Sequence, residues 1–201
     1  LTEDWNGRFS QILGDSPVGD LTFGAYDSYI KTLIEVYPDE LLPPTALAPD
    51  VKDVLFSFQY RNAQILINKL ERMGLAMLSD SVGLGKTITS GAVINHYKQE
   101  GATRIYVIAP ASLKTQWRGD LAERFGLIQG FEVISLQDAG AIELARELDK
   151  YKPVDLFVID EAHNLRNAGG KRHEQLLDWF IANPASKVLL LTATPINNSL
   201  M

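Results

Sequence analysis

Lys86 stands near the end of the stretch DSVGLGKT, Asp80 to Thr87, directly after two closely spaced glycines, Gly83 and Gly85. Glycine admits backbone angles closed to other residues. Successive N–H groups along Asp80, Ser81, Val82, Gly83, Leu84 and Gly85 can therefore converge on a bound anion. In the phosphate-loop pattern G-x-x-x-x-G-K-[ST] the lysine lies against the terminal phosphates and the next hydroxyl, here that of Thr87, binds Mg²⁺. The first glycine slot holds Asp80, and a glycine-rich turn before a helix is the plain alternative. A second cluster lies in VDLFVIDEAH, where a buried-type run ends in Asp160 and Glu161. Asp160 is placed to hold Mg²⁺, directly or through water, and Glu161 to orient and deprotonate an attacking water. Paired acids after a strand are otherwise a solvated turn or a helix N-terminus. Both clusters in order, each at the end of an apolar run, predict a site that binds and hydrolyses a nucleotide.

Such a site needs elements that bring the two clusters together. Four short apolar runs, LAMLS (75–79), RIYVIA (104–109), VDLFVI (154–159) and KVLLLT (187–192), have the length and continuous hydrophobicity of strands buried on both faces. GFEVISL, near 130–136, is a further strand, and helical stretches fall around 87–98, 112–125, 138–149 and 171–182. Ahead of them FQYRNAQILINKLERMG reads as an amphipathic helix with Ala63, Leu66, Ile67 and Leu70 inward, stopped by Gly74. The alternation predicts an α/β fold, a parallel sheet covered by helices on both faces, with ligands beyond the carboxyl ends of its strands. Residues 1–50 read differently. Tyr26, Ile30, Leu33, Ile34 and Tyr37 recur at helical spacing, and Pro38, Pro43, Pro44 and Pro49 then interrupt the chain. The expected division is a small N-terminal helical appendage with a proline-rich linker over 1–50 and a nucleotide-binding domain over 51–201.

Composition narrows the function. The net charge of −6 argues against a generally basic nucleic-acid coat, so any such contact is expected to be local. With no cysteine and only His96, His163 and His173 as imidazoles, thiolate chemistry is excluded and a structural zinc site is not expected. The lack of cysteine favours a cytoplasmic origin, and no apolar run reaches the roughly 20 residues needed to span a bilayer. Opening on Leu1 and ending after PINNSLM, the sequence reads as a piece of a longer protein.

Four stretches in order, DSVGLGKT, APASLKTQW, DEAHNLRN and LTATPINNS, resemble motifs I, Ia, II and III of superfamily 2 helicases, and more narrowly the SNF2 family of double-stranded DNA translocases. That family's motif I generally reads DEMGLGKT, so the resemblance accounts for Asp80 in the glycine slot. Ser81 and Val82 depart from the common Glu-Met, and Arg166 stands where a lysine is more usual. The resemblance covers about residues 54–201 and implies a RecA-like phosphate-loop lobe that uses ATP and Mg²⁺. The second lobe, with its arginine finger, is expected elsewhere in the parent chain. It also implies an adenine-reading glutamine, Gln59 of the Phe-Gln pair, with Gln64 as the alternative. The motif Ia loop contacts the DNA backbone in the family, which nominates Ser112 and Lys114 for phosphate contacts; Ser112 also reads as a helix N-cap, and a solvated lysine is the other reading of Lys114. Trp117 is assigned to the core. Thr192 and Thr194 suit a hydrogen-bond relay beside Asp160, with a Thr-Pro and Asn-Asn turn as the bland alternative, and His163 suits the same coupling network. GDLTFGAYDSYIKTLIEVYP is similar to the connector ahead of the motor in bacterial SNF2 proteins carrying a phospholipase-D-like domain; an amphipathic helix explains it equally.

The expectation is thus the ATP-binding lobe of a motor on double-stranded DNA. Binding of DNA by the lobe alone should be weak, and hydrolysis by it nearly absent. A strand-separating DNA or RNA helicase, a restriction-enzyme motor subunit and a non-catalytic nucleotide-binding module are the alternatives.

Overall fold

The structure, a computed structural model, describes residues 45–49, 51–81, 83–138, 142, 143, 145, 153–165 and 171–193. All of them fall in the second of two compact units, Pro43–Met201. The expected helix within 1–50 and most of the one near 138–149 lie outside the described residues, as do Val82, Arg166 and Thr194.

A short helix α1 (Val51–Val54) leads into α2 (Ser57–Met73). Helix α2 buries Ala63, Leu66, Ile67 and Leu70 on one stripe and ends at Gly74, which takes the left-handed φ of 70°. Strand β1 (Leu75–Leu78) follows, then α3 (Lys86–Gln99) and β2 (Ile105–Ala109). A 3₁₀ turn (Ala111–Leu113) precedes α4 (Lys114–Phe125) and β3 (Glu132–Ser135). The described chain closes with β4 (Leu156–Ile159), a 3₁₀ turn (Ala162–Leu165), α5 (Lys171–Ala182) and β5 (Lys187–Leu191).

The five strands form one parallel sheet in the order β1-β5-β4-β2-β3. Continuous apolar runs are explained by what each face meets. On β4, Leu156 and Val158 join the cluster built with Leu66, Ile67, Val93, Ile94, Trp117 and Leu121. Phe157 and Ile159 point the other way, against Leu176 and Trp179 of α5. Each fully buried side chain of this kind contributes about 1.5–3 kcal/mol relative to exposure. Close packing reaches the backbone at Gly91, where a Cβ would come within 2.4 Å of the Phe125 ring.

Two expectations need correcting. Strand β1 is not buried on both faces: Ala76 and Leu78 face the core, but Leu75 and Met77 are each 49% exposed. β1 is an edge strand, and α5 packs its Trp179 over Tyr106 and Phe157 instead. Nor is Ser112 a helix cap. The 3₁₀ turn comes first, with the Leu113 N–H donating to the Pro110 carbonyl at 2.9 Å, so α4 starts only at Lys114 and no side chain caps it. Ser112 is exposed on the turn and Lys114 is half-buried at the helix start.

A cavity of about 630 Å³ opens at the amino ends of β4 and β5, lined by Glu71, His96, Tyr97, Glu100, Asp155 and Lys187 among others. Its groups pair with one another: Tyr97 donates its hydroxyl to Glu71 at 2.7 Å, and Lys187 lies 3.5 Å from the same carboxylate. Burial lowers the pKa of His96, opposed by the charges of Glu100 and Glu71. This cavity lies at the end of the sheet opposite the two clusters of interest. Among the described residues no helix is long and apolar enough to cross a membrane.

Candidate active site

The loop after β1 and the acids after β4 meet through β5, the strand that separates them. β5 pairs with β1 from Leu75↔Val188 to Leu78↔Leu191 and with β4 from Leu156↔Lys187 to Ile159↔Leu190. All three strands run the same way, so their carboxyl ends bring residues 79–81, 83–85, Thr192 and Asp160 to one rim. Thr192 is buried there and donates its backbone N–H to the Leu78 carbonyl at 3.1 Å.

Gly83 and Gly85 both adopt left-handed backbone, with φ of 87° and 77°. Lys86 opens α3 and turns back into the loop, donating from Nζ to the carbonyls of Asp80 and Ser81 at 2.9 and 3.3 Å. The N-terminus of α3 faces the same space, adding its N–H groups and the positive end of the helix dipole. Thr87, next on the helix, is half-buried.

Gln59 is 4% exposed and ties this loop to α2. Its Oε1 accepts from the Phe56 N–H and its Nε2 donates to the Leu84 carbonyl, both at 3.0 Å. Gln64 reaches the Thr45 carbonyl instead, at 2.9 Å, away from the loop. Of the two glutamines, Gln59 is therefore the one seated against the loop.

Asp160 is 5% exposed, and both carboxylate oxygens are engaged. Oδ1 accepts from the Glu161 N–H and Oδ2 from the Trp117 indole Nε1–H, each at 2.9 Å. Glu161 has φ of 52°, a left-handed conformation that costs a residue with a Cβ about 1–3 kcal/mol. Asn164 secures the turn by donating its N–H and its Nδ2 to the Glu161 carbonyl at 2.9 and 3.0 Å. His163 Nδ1 lies 3.1 Å from Glu161 Oε2.

Over 154 residues the chain is 39% identical to a protein named uncharacterized ATP-dependent helicase YqhH of Bacillus subtilis, a match covering 70% of this chain and 26% of that protein. It is 34% identical over 142 residues to the RNA polymerase-associated protein RapA of Pseudomonas savastanoi, covering 59% of this chain and 15% of RapA. Among solved structures, the Sulfolobus solfataricus SWI2/SNF2 ATPase core in complex with dsDNA superposes with a TM-score of 0.56 at 24% identity, over 80% of this chain and 35% of that one. The same core domain in a second structure gives a TM-score of 0.58 at 23% identity, with the same coverage. Its homologues and structural neighbours are thus proteins of the SNF2 family. No protein-family model matches it. It spans only about a quarter or less of the length of these curated relatives.

Within this lobe the geometry fits a nucleotide with its divalent ion. Among the described residues, Asp80 Oδ2 is a buried oxygen with no hydrogen-bond partner. The Asp160 carboxylate accepts one N–H at each oxygen and keeps further lone pairs. Gly85 leaves open the space a side chain would fill, since a Cβ there would lie 2.4 Å from Gln59 Nε2. Gly85→Ala is therefore expected to lower stability by about 1–2 kcal/mol through its positive φ and to dislodge Gln59 from Leu84. Denaturant unfolding should show the loss, and adding Gln59→Ala should relieve part of it; strictly additive penalties would mean the two residues do not collide.

One residue of the site was not legible as such. Trp117 reads from sequence as core, and it is 1% exposed, but its indole nitrogen also lands on Asp160. The available signal was general: a buried indole N–H needs an acceptor.

Proposed function

We propose that this lobe binds ATP with Mg²⁺ and supplies one side of the hydrolytic site of a motor that moves along double-stranded DNA. The observation that carries the reading is the meeting of the Lys86 loop and the Asp160–Glu161 turn at the carboxyl ends of β1 and β4, with only β5 between them. The names of its relatives support the energy source and the track: one is called an ATP-dependent helicase, and one superposed core holds dsDNA.

The residues divide the work. The loop N–H groups and Lys86 hold the phosphates, with the Lys86 ammonium exchanging two carbonyl partners for phosphate oxygens. Gln59 sits where it can read adenine while bracing the loop. Thr87 and Asp160 would hold Mg²⁺, which when bound neutralises charge on the phosphates. Glu161 orients the attacking water and takes its proton. His163, beside Glu161, and Thr192, on the rim between the two clusters, are suited to report the state of the site outward. Thr194 shares that role by its place in the same motif. Ser112, on the 3₁₀ turn, and Lys114, at the start of α4, touch the DNA backbone.

Lys86→Ala tests the reading at its base. Charge-assisted hydrogen bonds contribute about 1.5–3 kcal/mol, so the variant should bind ATP or ADP with Mg²⁺ about 10- to 100-fold more weakly by calorimetry. Equal affinity in both proteins would remove the nucleotide assignment.

A further inference from the structure

We propose that Trp117 is a positioning residue for the Mg²⁺ site: its indole N–H holds the Asp160 carboxylate in the orientation that receives the ion. The proposal rests on the nucleotide reading above and adds to it a residue outside the acidic turn.

Two hydrogen bonds orient the carboxylate, and they differ in origin. The Glu161 N–H belongs to the same turn as Asp160 and moves with it. The Trp117 Nε1–H comes from α4 and reaches Oδ2 across 43 positions of sequence. Of the two, it alone fixes the carboxylate against the body of the lobe. Both groups are almost fully buried, Asp160 at 5% and Trp117 at 1% exposure, so no water can readily replace either partner. A buried carboxylate oxygen deprived of its donor must turn or recruit another one, and either response disturbs the lone pairs directed at a metal. The two remaining roles for a core tryptophan, volume and aromatic contact, require no acceptor of this kind. Trp179 is the comparison residue: it packs on the opposite face of the sheet, in edge contact with Tyr106 and Phe157.

The test uses the full-length protein and reads ADP affinity by calorimetry as Mg²⁺ is titrated, with an arm in EDTA. Loss of a partner that orients a metal ligand typically weakens the metal about 10- to 100-fold. Trp117→Phe should therefore need about 10- to 100-fold more Mg²⁺ for the same gain in ADP affinity, while ADP binding in EDTA stays within about twofold of the native protein. Trp179→Phe, a core change of the same size, should leave the Mg²⁺ titration in place. Should Trp117→Phe fail to fold, replacement of Trp117 by benzothienylalanine keeps the ring volume, exchanges only the N–H for sulfur, and should give the same displacement. A titration of the altered protein that overlays the native one overturns the proposal and leaves the nucleotide reading standing. A native protein whose ADP binding does not respond to Mg²⁺ overturns both.

Discussion

Glu161→Gln in the full-length protein is expected to reduce ATP turnover by about 10²- to 10⁴-fold, the contribution of a positioned general base, while ATP affinity stays within about twofold. On the proposed reading the two effects separate, because Glu161 acts on water and the phosphates are held elsewhere, by the Lys86 loop. The substitution is close to isosteric, and the hydrogen bonds that secure the turn use backbone atoms of Glu161: its N–H to Asp160 and its carbonyl from Asn164. The left-handed φ of 52° is therefore retained in the variant. Steady-state phosphate release with duplex DNA, beside calorimetry of ATP binding, checks both halves. Unchanged turnover would mean that the base is another group and that the strain at residue 161 serves a different end.

The 201-residue chain alone is expected to hydrolyse ATP about 10³- to 10⁵-fold more slowly than the full-length protein on DNA, the range associated with an arginine finger. On the proposed reading, the described half of the site supplies a lysine for the phosphates, a place for the metal and a base. All of these act on the incoming water or on the ground-state charges. In SNF2 motors the charge that builds on the transferring phosphoryl group is met by an arginine of the second lobe, and adding the remainder of the protein should restore DNA-stimulated turnover. Comparable rates from both proteins would show that this lobe carries its own finger.

The glycines, the lysine and the paired acids could be singled out in the sequence because the chemistry proposed for them is local: each role depends on neighbours within a few residues. The strands were readable for the same reason, since Leu156 to Ile159 must face apolar cores on both sides. What escaped depends on contacts between distant segments. Nothing near Leu75 or Met77 in sequence says that β1 is an edge whose outer face α5 leaves bare. Ser112 has the composition of a cap, but the Leu113–Pro110 turn shifts the helix start past it. The partner of Trp117 was hidden because α4 and the acidic turn meet only in the folded lobe. Which of Gln59 and Gln64, both on α2, touches the loop after β1 likewise depends on where that loop comes to rest.

The placement of β5 has a consequence for how the protein comes into being. Among the described residues β1 has a single ladder partner, and Leu75 pairs with Val188. During synthesis the phosphate-loop segment leaves the ribosome well before that partner exists, a wait on the order of ten seconds at ordinary elongation rates. Through that interval β1 is an unpaired strand carrying Leu75 and Met77, the kind of apolar edge that recruits wrong neighbours. The long-range pairing that ends the exposure is also the slow kind to form. The loop proposed to grip the phosphates is thus among the first parts of the described lobe to be made and among the last to be shaped.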